Sequence, residues 1–217
     1  MTLDQLDAEA RQLGLAVRGA FHPAADDLSP DGTRTLVLLG PNEPQFWTIF
    51  KASPEFADGA PHPLDRWSKR ITHMLAQERQ ATAIFPYDGP PYAPFLRWAE
   101  KSGANWPSPV GLLVHETAGL FISFRSVLAL PDRLDLPEPG TSPCLTCADQ
   151  PCAFACPVGA LAPGQAYDVP ACVAHVHSPA GAACRNGCLV RRACPVSQRF
   201  GRVEEQSAFH MRAFLGD

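Results

Sequence analysis

Apolar residues recur at helical spacing at Leu3, Leu6, Ala10 and Leu13, between a Thr2 suited to cap a helix and a Gly14 suited to end it. Gln5, three residues after Thr2, completes a capping box. Leu15 to Phe21 alternates as a strand does, and Thr33 to Gly40 is an apolar run closed by Gly40-Pro41, which predicts a buried strand. Asn42 is placed to cap a short helix carrying Phe46, Trp47 and Phe50. Pro63 opens the strongest helical pattern. Leu64, Trp67, Ile71, Met74 and Leu75 fall on one side of it, and Asp65, Arg66, Lys69, Arg70 and Glu78 on the other. Ala81 to Phe85 predicts a further strand and Ala93 to Ser102 a helix stopped by Gly103. Val110 to Val114 and Leu120 to Leu130 read as two strands joined by a turn at Glu116 to Gly119.

After Leu130 the pattern changes character. The segment from Pro131 to Pro143 is rich in proline and reads as a linker, and beyond it apolar periodicity gives way to cysteine. Three regions follow: an N-terminal domain over 1–130, a linker over 131–143, and a cysteine-bearing domain over 144–217 that ends in a helical tail. The tail, from Phe200 to Phe214, carries Phe209, Met211 and Phe214 and is expected to pack back on the first domain. The first domain mixes helices and strands and is of the α/β (or α+β) class.

Composition narrows the function classes. With 217 residues, nearly half of them hydrophobic, the chain has material for a substantial core. A net charge of −4 and the lack of a Lys/Arg-rich run argue against a nucleic-acid surface. No run of about 18 apolar residues predicts a membrane span. The acidic, amphipathic start is unlike a secretory leader, which predicts a cytoplasmic protein. The 23 prolines sit mostly in connections and predict rigid turns.

All eight cysteines lie between Cys144 and Cys194. Cys144, Cys147, Cys152 and Cys156 form C-x2-C-x4-C-x3-C-P. After Cys172, the residues Cys184, Cys188 and Cys194 form C-x3-C-x5-C-P. Thiolates at such short spacings wrap a metal group and offer it backbone N–H donors. Structural zinc at two four-cysteine sites is an alternative, although zinc sites more often use two separate C-x2-C pairs. Disulfides are the weakest reading without a secretory leader. His175 and His177, between Cys172 and Cys184, are not needed as ligands where eight thiolates already complete two sets.

Two runs each closing on Cys-Pro resemble a ferredoxin-type pair of four-iron four-sulfur clusters, in which the cysteine before proline crosses to the other cluster. That resemblance implies Cys144, Cys147, Cys152 and Cys194 around one cluster and Cys156, Cys172, Cys184 and Cys188 around the second, in a ferredoxin-like module. The four residues between Cys147 and Cys152, against the usual two, mark a widened loop. The order of elements before the module resembles the epoxyqueuosine reductase family, cobalamin-dependent iron–sulfur reductases. The corresponding pieces are Thr35 to Gly40, Pro63 to Arg79, Tyr87-Asp88-Gly89, Pro94 to Gly103 and Gly111 to Leu130. The stretch from Val114 to Leu130 also resembles related cobalamin-trafficking proteins.

The resemblance implies cobalamin as a further cofactor, a small-molecule substrate, and a flavodoxin or ferredoxin as electron donor. It implies Asp88 as a proton donor, and a carboxyl buried among Phe85, Tyr87 and Tyr92 would have the raised pKa an acid needs. The plainer reading makes Asp88-Gly89 a turn whose Asp bonds its own backbone. His115 is a candidate pocket residue, or a hydrogen-bonded strand end. Arg125, inside an apolar strand, calls for an anion: an internal carboxylate or a ligand. The family's Arg- and Tyr-containing signature has no match in Asp58 to Arg66. Its tRNA-reading helical repeats have no counterpart after Cys194, so tRNA is not an expected substrate. Two functions follow: a reductase passing electrons to a ligand in the first domain, or an electron carrier without catalysis of its own.

Overall fold

The computed structural model describes residues 1–216. Its strands are β1 (Leu15–Phe21), β2 (Thr35–Pro41), β3 (Thr82–Ile84), β4 (Asn105–Pro107), β5 (Leu113–His115) and β6 (Ser126–Leu130). Its helices are α1 (Leu3–Gln12), α2 (Gln45–Lys51), α3 (Pro54–Ala57), α4 (Pro63–Gln77), α5 (Phe95–Lys101), α6 (Val169–His177), α7 (Ala182–Arg185), α8 (Leu189–Ala193), α9 (Pro195–Arg199) and α10 (Glu204–Leu215). The chain divides into two compact units, one of residues 1–105 and 123–140, the other of 106–122 and 141 onward. Among the described residues no helix is long and apolar enough to cross a membrane.

The first unit is built on a four-stranded sheet of order β1-β2-β6-β3, antiparallel at every pairing, so it is α+β. β2 is central and buried at every position, as its unbroken apolar run requires of a strand covered on both faces. Thr35 stands opposite Leu130 and Leu39 opposite Ser126 across the β2–β6 ladder. α1 starts as its sequence dictates: the Thr2 hydroxyl accepts from Gln5 N, and the Gln5 side chain accepts from Thr2 N at 2.9 Å. α4 buries Leu64, Trp67, Ile71 and Leu75. Trp67 meets Phe46 and Phe50 of α2 edge-on, with ring centroids 5.4 and 5.8 Å away. The segment read as a free linker is instead strapped to this unit. Thr35 Oγ1 donates to Asp132 O and accepts from Leu134 N, Leu134 is buried, and Gly140 N donates to Gly103 O. Backbone groups so satisfied hold a proline-rich strap in place.

Asp27, almost wholly buried, anchors the loop between β1 and β2. It accepts from Ala24 N at 2.8 Å and from Lys101 Nζ at 2.5 Å, with Arg97 3.5 Å away. Burial alone would raise its pKa, but the Lys101 and Ala24 hydrogen bonds and the two cations hold it below the ordinary 3.8. A depressed carboxylate stabilises the fold at pH values above 3.8, and that contribution fades as the pH falls below it. Asp27→Asn is expected to cost about 2 kcal/mol at neutral pH. Its denaturation midpoint should approach that of the parent as the pH falls below the usual carboxylate range. An equal deficit at both ends of the titration would contradict this account.

The C-terminal stretch differs from the pattern-based expectation in two places. Leu120 to Leu130 does not form one strand, and β5 and β6 do not pair with each other. β5 pairs with β4, and only Ser126–Leu130 enters the main sheet. The turn between them is diverted into the second unit. Gly119 holds φ of 57° with Ser197 packed against it so closely that a Cβ would sit 2.4 Å from Ser197 N. Leu120 N donates to Ser197 Oγ at 2.8 Å. α10, expected against the first domain, packs on α7 of its own unit and buries Gln206 and Ser207.

Candidate metal centre

The second unit has little regular structure because its cysteines, prolines and glycines interrupt every helix. Cys144 lies in a 3-10 turn, Pro143–Thr146, started by Ser142, whose hydroxyl accepts from Cys144 N at 3.3 Å. Cys152 lies in a second 3-10 turn, Pro151–Phe154, which packs against α8. Cys172 is on α6 and Cys184 on α7. Cys188 precedes α8, and Cys194 lies between α8 and α9. The diverted segment supplies the wall: Val110, Val114 and Leu120 join Leu161 and Val190 in an apolar cluster that contains Cys152 and Cys194. Seventeen residues of insertion (106–122) thus serve the cysteine unit rather than the sheet they interrupt. All eight cysteines are free thiols.

The thiols fall into two neighbourhoods. Burial pushes the Cys152 thiol pKa up, and the nearby charges of Cys144, Cys194 and Cys147 push it further. Burial likewise raises Cys144, against a hydrogen bond from Ser142, with Cys194 and Cys147 adding to the rise. Burial raises Cys184 as well, and there the neighbours are Cys188, Cys172 and Cys156. One set is therefore Cys144, Cys147, Cys152 and Cys194, the other Cys156, Cys172, Cys184 and Cys188. Four thiols brought together repel one another once ionised, so each set is suited to a cationic group that compensates the charge.

The first set lines a cavity of about 510 Å³, together with Ser108, Val114, Leu120, Asp149 and Arg199. Ser108 is 8 % exposed, and its Oγ is a buried hydroxyl with no hydrogen-bond partner among the described residues. A buried hydroxyl without a partner costs stability unless something in the cavity accepts from it. Among the described residues no three His, Cys, Asp or Glu side chains are grouped so as to hold one metal ion.

Two residues beside the second set carried no sequence signal. Burial raises the Tyr167 hydroxyl pKa, and its hydrogen bond with Cys172 and the charges of Cys172 and Cys188 add to that rise. Arg191 stands near Cys188 and Tyr167, and burial pushes its pKa down against their attraction. Its Nη1 donates to Leu120 O. Nothing in the local pattern marks these two, because their partners come from other turns of the chain.

The residues singled out in the N-terminal sequence take other positions. Asp88 is not buried among aromatic rings: its side chain is half exposed and pairs with Lys69 Nζ at 2.7 Å, and Tyr92 is 63 % exposed. The Pro-rich turn carries it to the surface, without the burial among aromatic rings expected of it. Lys69 itself lies over the Phe85 and Tyr87 rings, 5.6 and 5.4 Å from their centroids. Arg125 meets an internal carboxylate, with Nη2 donating to Asp65 Oδ1 at 3.0 Å. His115 is buried, and its Nδ1 accepts from Thr117 N and Ala118 N at 3.0 and 3.1 Å. The ring thereby caps the turn that leads to Gly119. His177 is exposed and His175 half-buried, each on α6 with Cys172.

No family model matches this chain, and no curated protein or solved structure matches it either.

Proposed function

We propose that this protein is an iron–sulfur electron-transfer protein with two four-iron four-sulfur clusters in a ferredoxin-like module. Cys144, Cys147, Cys152 and Cys194 would hold one, and Cys156, Cys172, Cys184 and Cys188 the other. The observation that carries this reading is the separation of eight thiols into two neighbourhoods of four, around Cys144 and Cys152 and around Cys184. The clusters would supply one-electron exchange. The chain's own part is to hold them with thiolates, to exclude water with Val114, Leu120 and Val190, and to offer the Ser108 hydroxyl to a cluster sulfur. Arg191 sets a positive charge beside Cys188. Thiolate-ligated iron is stable under reducing conditions, which supports a cytoplasmic setting.

Two versions of this function differ in what the first unit does. In a reductase related to the epoxyqueuosine family, that unit would hold cobalamin or a small-molecule substrate, with Asp88 as proton donor and Arg125 on an anion. In an electron carrier it would hold neither. The ion pairs favour the carrier, since Asp88 is matched by Lys69 at the surface and Arg125 by the internal carboxylate of Asp65. The deciding experiment is the absorption spectrum of protein purified without air, before and after adding cobalamin. A broad band toward the blue that bleaches on reduction is expected, with no retained cobalamin after gel filtration. A colourless protein would refute the cluster reading, and a stoichiometric cobalamin spectrum would restore the reductase.

A further inference from the structure

Ser108 stands in the turn between β4 and β5, and its backbone is tied there on both sides. Its N donates to Leu112 O at 2.8 Å, and its O accepts from Gly111 N at 3.0 Å. Gly111 closes the turn with φ of 76°, a left-handed conformation that suits glycine. Val110 and Val114, on either side of Gly111, are buried in the apolar cluster that contains Cys152 and Cys194. The turn is thereby fixed against the first set of cysteines.

The side chain of Ser108 has no such partners. Ser108 is 8 % exposed and lines the cavity of Cys144, Cys147, Cys152 and Cys194. Its Oγ bonds nothing among the described residues, those four thiols included. A buried hydroxyl that bonds nothing is destabilising, and an apolar wall such as Val114 and Leu120 provide has no use for one. With the thiols excluded, the acceptors that a cluster would bring are its inorganic sulfides.

We infer that Ser108 donates a hydrogen bond to a sulfide of the first cluster and thereby sets that cluster's reduction potential. The inference rests on the two-cluster reading and adds to it a means of regulating one cluster apart from the other. A cluster gains negative charge on reduction, so a donor to its sulfur stabilises the reduced form more than the oxidised one. The potential is therefore higher with the hydroxyl than without it. The effect is confined to the first cluster, because Ser108 lines the cavity of that set, while Tyr167 and Arg191 stand beside the other.

The test is a redox titration of the full chain, purified without air, with dithionite as reductant and electron paramagnetic resonance as readout. The step lost in Cys152→Ser identifies the first cluster. In Ser108→Ala that step is expected to move to lower potential while the other stays in place. Its reduced-to-oxidised ratio at a fixed potential should fall several-fold, where tenfold corresponds to about 59 mV for one electron. Ser108→Thr, which keeps a hydroxyl, should return the step toward the parent. In heavy water, electron–nuclear double resonance should find an exchangeable deuteron coupled to the reduced first cluster that Ser108→Ala lacks. Ser108→Ala takes away no side-chain hydrogen bond that the chain makes with itself, so it should fold and load as the parent does, which circular dichroism and iron content check. Unmoved potentials in fully loaded Ser108→Ala would overturn the inference and leave the cluster reading intact, with water as the partner of the hydroxyl. Equal movement of both steps would also overturn it, as would a fall in Ser108→Thr as large as in Ser108→Ala. A parent protein without iron would overturn the cluster reading, and this inference with it.

Discussion

Protein purified without air is expected to carry about eight iron and eight acid-labile sulfide per chain, as two complete four-cysteine sets require. Cys152→Ser should lose about half of both, and so should Cys184→Ser, each by emptying its own set. The loss should also be felt in stability. Cys152, Cys184 and Cys194 are buried, and Cys152 and Cys194 belong to the apolar cluster that the unit has for a core. Around it stand helices of four to twelve residues, several too short to persist alone. Bound metal would then contribute a large part of the folding free energy. A chelator should accordingly unfold the second unit while the sheet of the first persists, which amide exchange of β2 against α8 would resolve. Stoichiometric zinc without labile sulfide would overturn the assignment, and a full iron content in Cys152→Ser would overturn the division into sets.

What could be read from the sequence was local. The Thr2–Gln5 capping box, the buried run of β2 and the apolar side of α4 each follow from spacing within a dozen residues, and the structure has them where the pattern puts them. The cysteine spacings are equally short-range, and the structure sets Cys144 near Cys147, Cys152 and Cys194. Legibility failed where the deciding partner lies far along the chain. An apolar run from Leu120 reads as strand, but Ser197, 77 positions away, takes Leu120 N and pulls the turn out of the sheet. The proline strap looks like a linker until Thr35 supplies its hydrogen bonds. Tyr167, Arg191 and the orphan Ser108 acquire meaning only beside cysteines from other turns. Arg125 was legible in half: an apolar strand shows that an anion is needed and not which one.

That anion sets the last expectation. Arg125 is 13 % exposed at its side chain, and burial pushes its pKa down while Asp65, and then Tyr87, pull it up. Tyr87 closes the knot by donating its hydroxyl to Asp65 O at 2.9 Å. Asp65→Ala would leave a guanidinium buried without its counter-charge, and this is expected to cost about 3 kcal/mol, the lower end for a broken buried pair. The lower end applies because Asp65 is 34 % exposed and water can reach the pair. Arg125→Met should cost less, since the carboxylate left behind can be hydrated and the methionine fills the space. The double variant should then cost well less than the sum of the two, the signature of a shared interaction in a double-mutant cycle. Asp88→Ala serves as the contrast. It breaks an ion pair whose members are 42 % and 50 % exposed, and is expected to change stability by no more than about 0.5 kcal/mol. Urea denaturation of the four variants measures all of this. A neutral Asp65→Ala would mean that Arg125 answers to an anion from outside, and the first unit would again be a candidate ligand site.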